Sequence, residues 1–535
     1  MKGGLLPIGL VCLSLVPGVV SQGVHSADWP QKGCDPQHTS FSPEEWKLSP
    51  YNVEDLEAVW SNSVSCTIND SVSAVDGVVY YGHYCGEFRA VDAATGARLW
   101  TRSINRTHTG QAVADGVVYV TARCTYSPCG TLYAFNATNG ATLWTWDAGS
   151  AQPGFPVVSN GTVFVRTNEP VLHAIDAATG VELWSRPGIG SVAVADGVLY
   201  AARSDNLAAL DSTDGSILWE GTVPAGFSYP VVTNDVVYVS AADGYLYAFD
   251  AAGCGQDVCT RLWRGGLQQN GGKGPSVPSV AGGIVYVGAG NGMYAFDAAG
   301  CSANECVSLW RSTTACSFHG PQPSIANGVV YSACGNNYLY TFNASTGAVL
   351  WSYYTSGGYP MRATPVVTDG RLLHAATFNF RLYAFEAPSL GPHPFHEFDL
   401  ASVVIHFPQD EAQGERGSVS GTLVLGYGSD GLDLLHDDVA FRFGTAEITI
   451  PAGSFDRHGF RYSYDGTIGG ATVASEFEDI GGDSFNFVFR VESTDLSGTS
   501  NPLTVSLRVG NDSGETTERL HGLLTRQLPV AVLPW

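Results

Sequence analysis

Apolar and polar positions alternate in two short blocks that recur along the chain from residue 60 to residue 388. The first block is a turn pair followed by β-branched and aromatic residues. It reads DGVVYYG from Asp76, DGVVYVT from Asp115, NGTVFVR from Asn160 and DGVLYAA from Asp196, then NDVVYVS from Asn234, GGIVYVG from Gly282, NGVVYSA from Asn327 and DGRLLHA from Asp369. The second block closes on Trp. It reads FRAVDAATGARLW at Trp100, LYAFNATNGATLW at Trp144, LHAIDAATGVELW at Trp184 and LAALDSTDGSILW at Trp219. Longer copies end at Trp263 and Trp310, LYTFNASTGAVLW ends at Trp351, and an eighth copy, LYAFEAP from Leu382, has no Trp. Period two in each run predicts strands. Asx-Gly between apolar runs predicts tight hairpins, because both central residues must reach positive φ. The Asp or Asn before Ala-x-Thr-Gly is placed to bond its own turn. The flat Trp can cover the joint with the next unit. Eight units about forty residues long match the period of four-stranded propeller blades.

The missing eighth Trp has a candidate source. Val53-Glu54-Asp55-Leu56-Glu57-Ala58-Val59-Trp60 reads as an outer strand with its Trp and nothing before it. An N-terminal strand that completes the last blade would close the ring and remove an exposed edge. Seven blades remain if it does not. The propeller is expected over residues 27–392, with 27–60 as the entry segment that closes the ring. After Leu390-Gly391-Pro392 the pattern changes to strict alternation, as in Phe441/Phe443, Ile448/Ile450, Phe460/Tyr462/Tyr464, Phe485/Phe487/Phe489 and Leu503/Val505/Leu507/Val509. This predicts an antiparallel β-sandwich over 396–535. The chain is therefore expected to be all-β. Asp437-Asp438 and Asp479 are calcium candidates in that region, against a plain reading as solvated turn carboxylates.

Composition sharpens the picture. Gly is abundant at 64 and charged residues make up only 14%, which favours turn-rich β structure. The net charge of -24 argues against nucleic acid and anionic membranes as partners. Lys2, the apolar stretch Leu5 to Val20 and Val24-His25-Ser26 read as a signal peptide over 1–26, and no other segment is long and apolar enough to span a bilayer. Of the 12 Cys, Cys12 leaves with the signal, and export makes disulfides the natural reading of the remaining 11. Cys124–Cys129, Cys254–Cys259 and Cys301–Cys306 are expected as short staples. Cys66–Cys85 and Cys316–Cys334 flank one strand pair each and can meet within a blade. Cys34 is left over.

Ala27-Asp28-Trp29-Pro30-Gln31, Asp35-Pro36, Thr39 and Asn52-Val53, followed by the repeats from Trp60 to Pro388, resemble the pyrroloquinoline-quinone-like (PQQ-like) propeller superfamily. The Gly-Cys-x4-Cys turn resembles its secreted bacterial members. The resemblance implies an eight-bladed PQQ-like β-propeller. It also implies two kinds of relative: PQQ-dependent alcohol and sugar dehydrogenases, and cofactor-free proteins that bind other proteins. The enzymes hold PQQ on the axis with a Trp floor, a disulfide between adjacent Cys, and calcium bound by Glu, Asn and Asp. This chain has no adjacent Cys pair and no Cys-x-x-Cys-His haem motif. Asn69 stands where the enzymes carry Glu, and Val72 where Pro is common. Of the Trp outside the repeat, only Trp146 lies among the blades.

A ligand, if one binds, is expected at the axial channel mouth, where counting back along the inner strands places Asn69, His108, Phe227, His319 and Arg362. The alternative for these residues is a solvated funnel lining. The sequence points to an exported, non-catalytic, monomeric propeller that binds a protein or extracellular polymer, with no cofactor. A dehydrogenase using PQQ and calcium is the first alternative, and a structural cell-surface protein the second.

Overall fold

The computed structural model describes residues 27–534 apart from 44, 46, 51, 69–71, 105–106, 124–129, 204–205, 225, 227, 268–273, 302–304, 315–320, 356–362, 377–379, 388–392, 395–396, 407–414, 425–433, 435–437, 444–445, 459–460, 469–470, 482–483, 495–502, 510–511 and 519–530. Eight antiparallel sheets follow one another as blades. Blade 1 is built from Ser73–Val75, Val78–His83, Glu87–Asp92 and Arg98–Ser103, running from the innermost strand to the outermost. Blades 2 to 7 repeat that order from first strands Thr107–Ala114, Pro153–Ser159, Val192–Ala195, Val231–Thr233, Ser279–Ala281 and Ser324–Ala326, and in blade 7 the entry strand Phe41–Ser42 adds in parallel inside Ser324–Ala326. Blade 8 takes Val366–Thr368, Arg371–Ala376 and Arg381–Glu386 from the end of the repeat. Its outermost strand is Glu57–Ser63, paired antiparallel with Trp60 opposite Ala384 and Ala58 opposite Phe385. Val59 sits at the irregularity between those two pairs and is exposed, while Leu56 lies before the strand and packs in the core beside Phe385.

The turn chemistry accounts for the local geometry. Asp76 and Gly77 both have positive φ, 51° and 71°, the signature of the hairpin turn that matches strand twist. The Asp92 carboxylate accepts from the Thr95 N–H at 2.8 Å and the Thr95 hydroxyl at 2.7 Å. Asp176 does the same with Thr179. These bonds hold both carboxyls below their ordinary range. The repeated Asp are thus turn caps.

The Trp lock neighbouring blades together. Six indole N–H groups donate to a carbonyl in the third turn of the next blade: Trp60 to Ala93, Trp100 to Ala137, Trp144 to Ala177, Trp184 to Ser212, Trp219 to Ala251 and Trp310 to Ala344, at 2.8–3.2 Å. The turn glycine lies flat against the ring. At Gly300, with φ +81°, a Cβ would stand 2.2 Å from Trp263 Cδ1.

Cys254–Cys259 and Cys301–Cys306 are bonded. Beyond stapling their own turns, they shape them into short fifth strands. Val258–Cys259 adds in parallel to the outer edge of blade 4, and Glu305–Cys306 to that of blade 5. Cys66–Cys85 is bonded, Cys334 is disulfide-bonded, and Cys124, Cys129 and Cys316 lie outside the described residues. Cys34 is a buried free thiol.

Residues 393–534 form a five-stranded and a seven-stranded sheet. Their shared core includes Phe441, Phe477, Phe487 and Phe489, with Phe441 stacked on Phe489 at 4.0 Å. Asp438 accepts from the Ala452 N–H and so serves its turn. Asp437 lies outside the described residues.

Two glycine substitutions separate backbone strain from ring contact. Gly77→Ala, with open space around it, is expected to cost about 1–2 kcal/mol for its left-handed φ. Gly300→Ala carries the same strain plus the collision with Trp263. It is expected to cost at least about 3 kcal/mol, read from urea midpoints of the two variants.

Candidate functional site

The first strand of each blade has one edge bonded to its hairpin partner and the other turned to the axis. An unpaired backbone N–H there must find a partner. The entry segment supplies it. Trp29 and Ala74 of blade 1 exchange N–H···O bonds of 2.6 and 2.9 Å. The Val113 N–H of blade 2 donates to Pro30 O, and the Val158 N–H of blade 3 to the side-chain oxygen of Gln31. Val194 of blade 4 donates to Pro36 O, Val232 of blade 5 to Gln37 O, Val280 of blade 6 to Thr39 O and Ile325 of blade 7 to Ser40 O, at 2.8–3.0 Å. Every one of these donors stands two residues before the first residue of its blade's turn pair. Blade 8 is held by Glu45, which accepts from the Gly370 N–H at 2.8 Å, and by Asp369, which accepts from the Ala27 N–H. One segment therefore touches all eight blades.

Its middle forms a knob at the centre. Cys34 N–H donates to Gln31 O, and Gly33, at φ +72°, packs so closely on His38 that a Cβ would lie 2.8 Å from the His38 Cα. Asp35 accepts from the Thr39 N–H and from its hydroxyl. Burial nevertheless raises this carboxyl to about 6. Burial also pushes the Cys34 thiol up, and the carboxylates of Asp35 and Asp28 add to that.

Lys32 projects from the knob onto two aromatic faces. Its Nζ is 3.7 Å from the Phe155 centroid and 4.6 Å from that of Tyr229. Phe155 comes from the innermost strand of blade 3, and Tyr229 precedes that of blade 5. His38 meets Tyr229 edge-on at 6.0 Å, and its buried Nε2 has no hydrogen-bond partner. Burial first, and the Lys32 cation second, lower the His38 ring to about 4, so it is neutral at pH 7. A hollow beside Lys32 is lined by Phe155, Phe164, Arg166, Ser191, Val192 and Tyr229. The buried Arg166 Nε is likewise unpartnered.

Asn69, Phe227, His319 and Arg362 lie outside the described residues, and His108 is placed by its backbone alone, opposite Ala122 in blade 2. The described residues show a cluster of Lys32, His38, Phe155, Arg166 and Tyr229 at the centre. Lys32 carried a signal: it is one of four lysines in the chain and stands between Pro30 and Gly33. In blade 1, His83 is buried. Its Nδ1 accepts from the Cys85 N–H at 3.2 Å, and its Nε2 lies 3.3 Å from Glu87. Among the described residues, Cys66, His83 and Cys85 are the one group of three or more His, Cys, Asp or Glu whose donor atoms converge. The two cysteines are joined in the Cys66–Cys85 disulfide and so offer no thiolate to an ion.

A family profile described as "Outer membrane protein assembly factor BamB" matches residues 52–145, 128–189, 185–300 and 303–389, more than half of the chain. The chain belongs to this PQQ-like repeat family. Tetrathionate hydrolase of Acidithiobacillus ferrooxidans is 25% identical over 431 residues, covering 66% of this PQQ-like chain and 85% of the relative. BamB of Moranella endobia is 26% identical over 255 residues, 43% and 64% of the two chains. The serine/threonine-protein kinase AfsK of Streptomyces griseus is 31% identical over 171 residues, 28% of this chain and 20% of the kinase. The chain thus spans a fifth of the kinase and under two thirds of that assembly factor. Among solved structures, quinohemoprotein alcohol dehydrogenase from Comamonas testosteroni superposes with a TM-score of 0.52 at 16% identity, over 69% of this chain and 82% of that one. BamB from Moraxella catarrhalis superposes with a TM-score of 0.50 at 16% identity, over 62% and 99%. At such identities the likeness is one of PQQ-like fold.

The buried groups set a pH response. His38 at about 4 and buried His374 at about 3 lie below the ordinary 6.5. The unfolded chain therefore takes up their protons first, and stability falls as pH drops from about 6.5 toward 4. Asp35, raised from 3.8 to about 6, works the other way, since the folded state holds its proton more tightly in that window. Each group contributes a slope of up to about 1.4 kcal/mol per pH unit, so two histidines outweigh one aspartate. Urea titrations between pH 7 and 4.5 are expected to show falling stability, shallower in His38→Asn and steeper in Asp35→Asn.

Proposed function

We infer that the protein is an extracytoplasmic, non-catalytic propeller that binds a protein or polymer partner at its axial mouth. The observation that carries this reading is the knob. The entry segment fills the centre of the ring and presents the Lys32 cation on aromatic faces, with the unpartnered Arg166 Nε lining the adjoining hollow. Two cationic groups at the centre of a chain of net charge -24 suit an anionic group, such as a carboxylate on a protein loop or an acidic sugar. The disulfides support an oxidising compartment. No helix among the described residues is long and apolar enough to cross a membrane.

A PQQ-calcium dehydrogenase is the second reading. Calcium takes several hard oxygen ligands, and the sequence offers the neutral Asn69 where the enzymes' Glu would stand. The relatives called BamB are named as assembly factors and those called dehydrogenases as enzymes. The filled axis favours the first kind of role.

Capture from the native extracytoplasmic fraction is the deciding experiment. A partner retained by the wild type is expected to be lost, by about tenfold or more, from Lys32→Glu at unchanged melting temperature. Retention by the variant would move the site elsewhere. Supplied with PQQ and Ca²⁺, the protein is expected to reduce no dye with alcohols or aldoses. Turnover above that of the cofactors alone would overturn the non-catalytic reading.

A further inference from the structure

The two disulfide turns show how this propeller receives an added strand. In blade 4, Val258–Cys259 pairs in parallel with Glu220 and Gly221, and the Glu220 N–H donates to Asp257 O at 2.8 Å. In blade 5, Glu305–Cys306 pairs in parallel with Arg264 and Gly265. The register is identical: the positions one and two after the blade's Trp, Trp219 and Trp263. Both of these Trp are buried, at 5% and 3% exposure.

Among the described residues the other blades end on an outer strand with no added partner. Most carry charge there, which discourages pairing with a segment that is not tied to the chain as the caps facing Glu220 and Arg264 are. Blade 1 has Arg98 and Arg102, blade 3 Glu182 and Arg186, blade 6 Arg311 and blade 8 Glu57. Blade 2 differs. Its outermost strand, Thr142–Asp147, is uncharged until its last residue and carries exposed Leu143 and half-buried Trp144 and Trp146. It is the terminal strand of its sheet. The facing turn of blade 3 is the short form and reaches only Trp144, whose Nε1–H it accepts at Ala177 O. Trp146 stands at the position held by Gly221 and Gly265 in the capped blades, and its ring packs on His173 at 4.9 Å. Blade 7 is also uncharged, but its Tyr353 and Tyr354 rings are taken up by Phe385 and Tyr338 at 4.8 and 5.1 Å.

The geometry points to strand addition at the outer edge of blade 2, by an extended segment of a protein partner lying parallel to Thr142–Asp147 at the register of Thr145 and Trp146. The Thr145 N–H stands in the place of the Glu220 N–H, and Leu143 and Trp146 offer apolar contact to alternate side chains of the segment. Asp147 at the strand's end, the Glu182 carboxylate 3.2 Å from His173 and the net charge of -24 favour a segment bearing Lys or Arg. This deepens the partner-binding reading but uses a different surface from the mouth.

The chain's own cap serves as the probe: the oxidised peptide of residues 253–262, which carries Val258, Cys259 and Arg261, added to the full-length protein. Binding is expected to slow hydrogen exchange at 142–147. Affinity is expected to fall about tenfold or more in Thr145→Pro, which removes the donor. It should fall similarly in Trp146→Arg, which copies the charged edge of blade 3 and keeps a residue type the fold already bears there. Lys32→Glu should bind the peptide as the wild type does. The proposal is overturned by absence of binding, by undiminished binding to Trp146→Arg, or by protection at Val349–Tyr354 in place of blade 2. Loss of binding in Lys32→Glu with protection at the mouth would also overturn it, while leaving the partner-binding reading standing.

Discussion

Seven backbone N–H groups converge on one axis at one register, on Ala74, Val113, Val158, Val194, Val232, Val280 and Ile325, and a single short segment receives all of them. A buried amide left without a partner costs about 1–3 kcal/mol. Seven together rival the whole margin of about 5–15 kcal/mol by which proteins are stable. The sequence from Trp29 to Ser40 is shaped by that demand. Pro30 and Pro36 contribute carbonyls and bring no N–H of their own to satisfy. Gln31 reaches blade 3 with a side-chain amide that both accepts from Val158 N–H and donates to Val158 O. Positive φ at Gly33, Cys34, His38 and Ser40 lets the segment curve within the ring.

The rim is locked by a second repeated contact, and the chain's beginning completes that one too. Six of the repeat Trp donate to the following blade's turn, and turn glycines lie against the rings of Trp60, Trp100, Trp144, Trp184, Trp219, Trp263 and Trp310. Trp60 closes the series by donating to Ala93, with Gly96 against its ring. Centre and rim thus depend on residues 27–63, which are far in sequence from most of what they hold. Such contacts cannot form until the blades they join exist, since long-range closure gives up chain entropy before its bonds repay it. The ring is therefore expected to close late in folding and to gain its stability together.

The propeller was legible because each blade states its own rule in local chemistry. Asx-Gly fixes a turn, the Asp92 type of cap fixes another, and the Trp60 strand without a preceding partner reveals the closure. The role of the knob was not legible. Pro30, Gln31, Pro36 and Gln37 carry no period, and what makes them important is the axial position of donors scattered over some 250 residues, from Ala74 to Ile325. The disulfide turns show the same limit. Spacing gave the bonds Cys254–Cys259 and Cys301–Cys306, but their reach to the preceding blade's edge depends on how two blades sit side by side. Counting along inner strands led to His108 and Asn69 and treated the channel as lined by the blades alone, so it passed over the entry segment, which brings Lys32 and His38 to the centre.

The way Lys32 is held bears directly on what the centre can do. A lysine seated on a carboxylate has its charge cancelled. One seated on Phe155 and Tyr229 is attracted by the ring faces yet keeps its net charge. Among the described residues Lys32 has no salt bridge, in a chain with 50 acidic residues. His38 beside it is kept neutral by burial and by that same cation, so the knob does not accumulate charge it would have to bury. What results is one retained positive charge at the axis, fixed by rings from blades 3 and 5, next to a hollow lined by Arg166. A carboxylate entering there would gain its full attraction without displacing an existing partner. The same seat ties the cation's position to the spacing of blades 3 and 5, so a distortion between them would move Lys32.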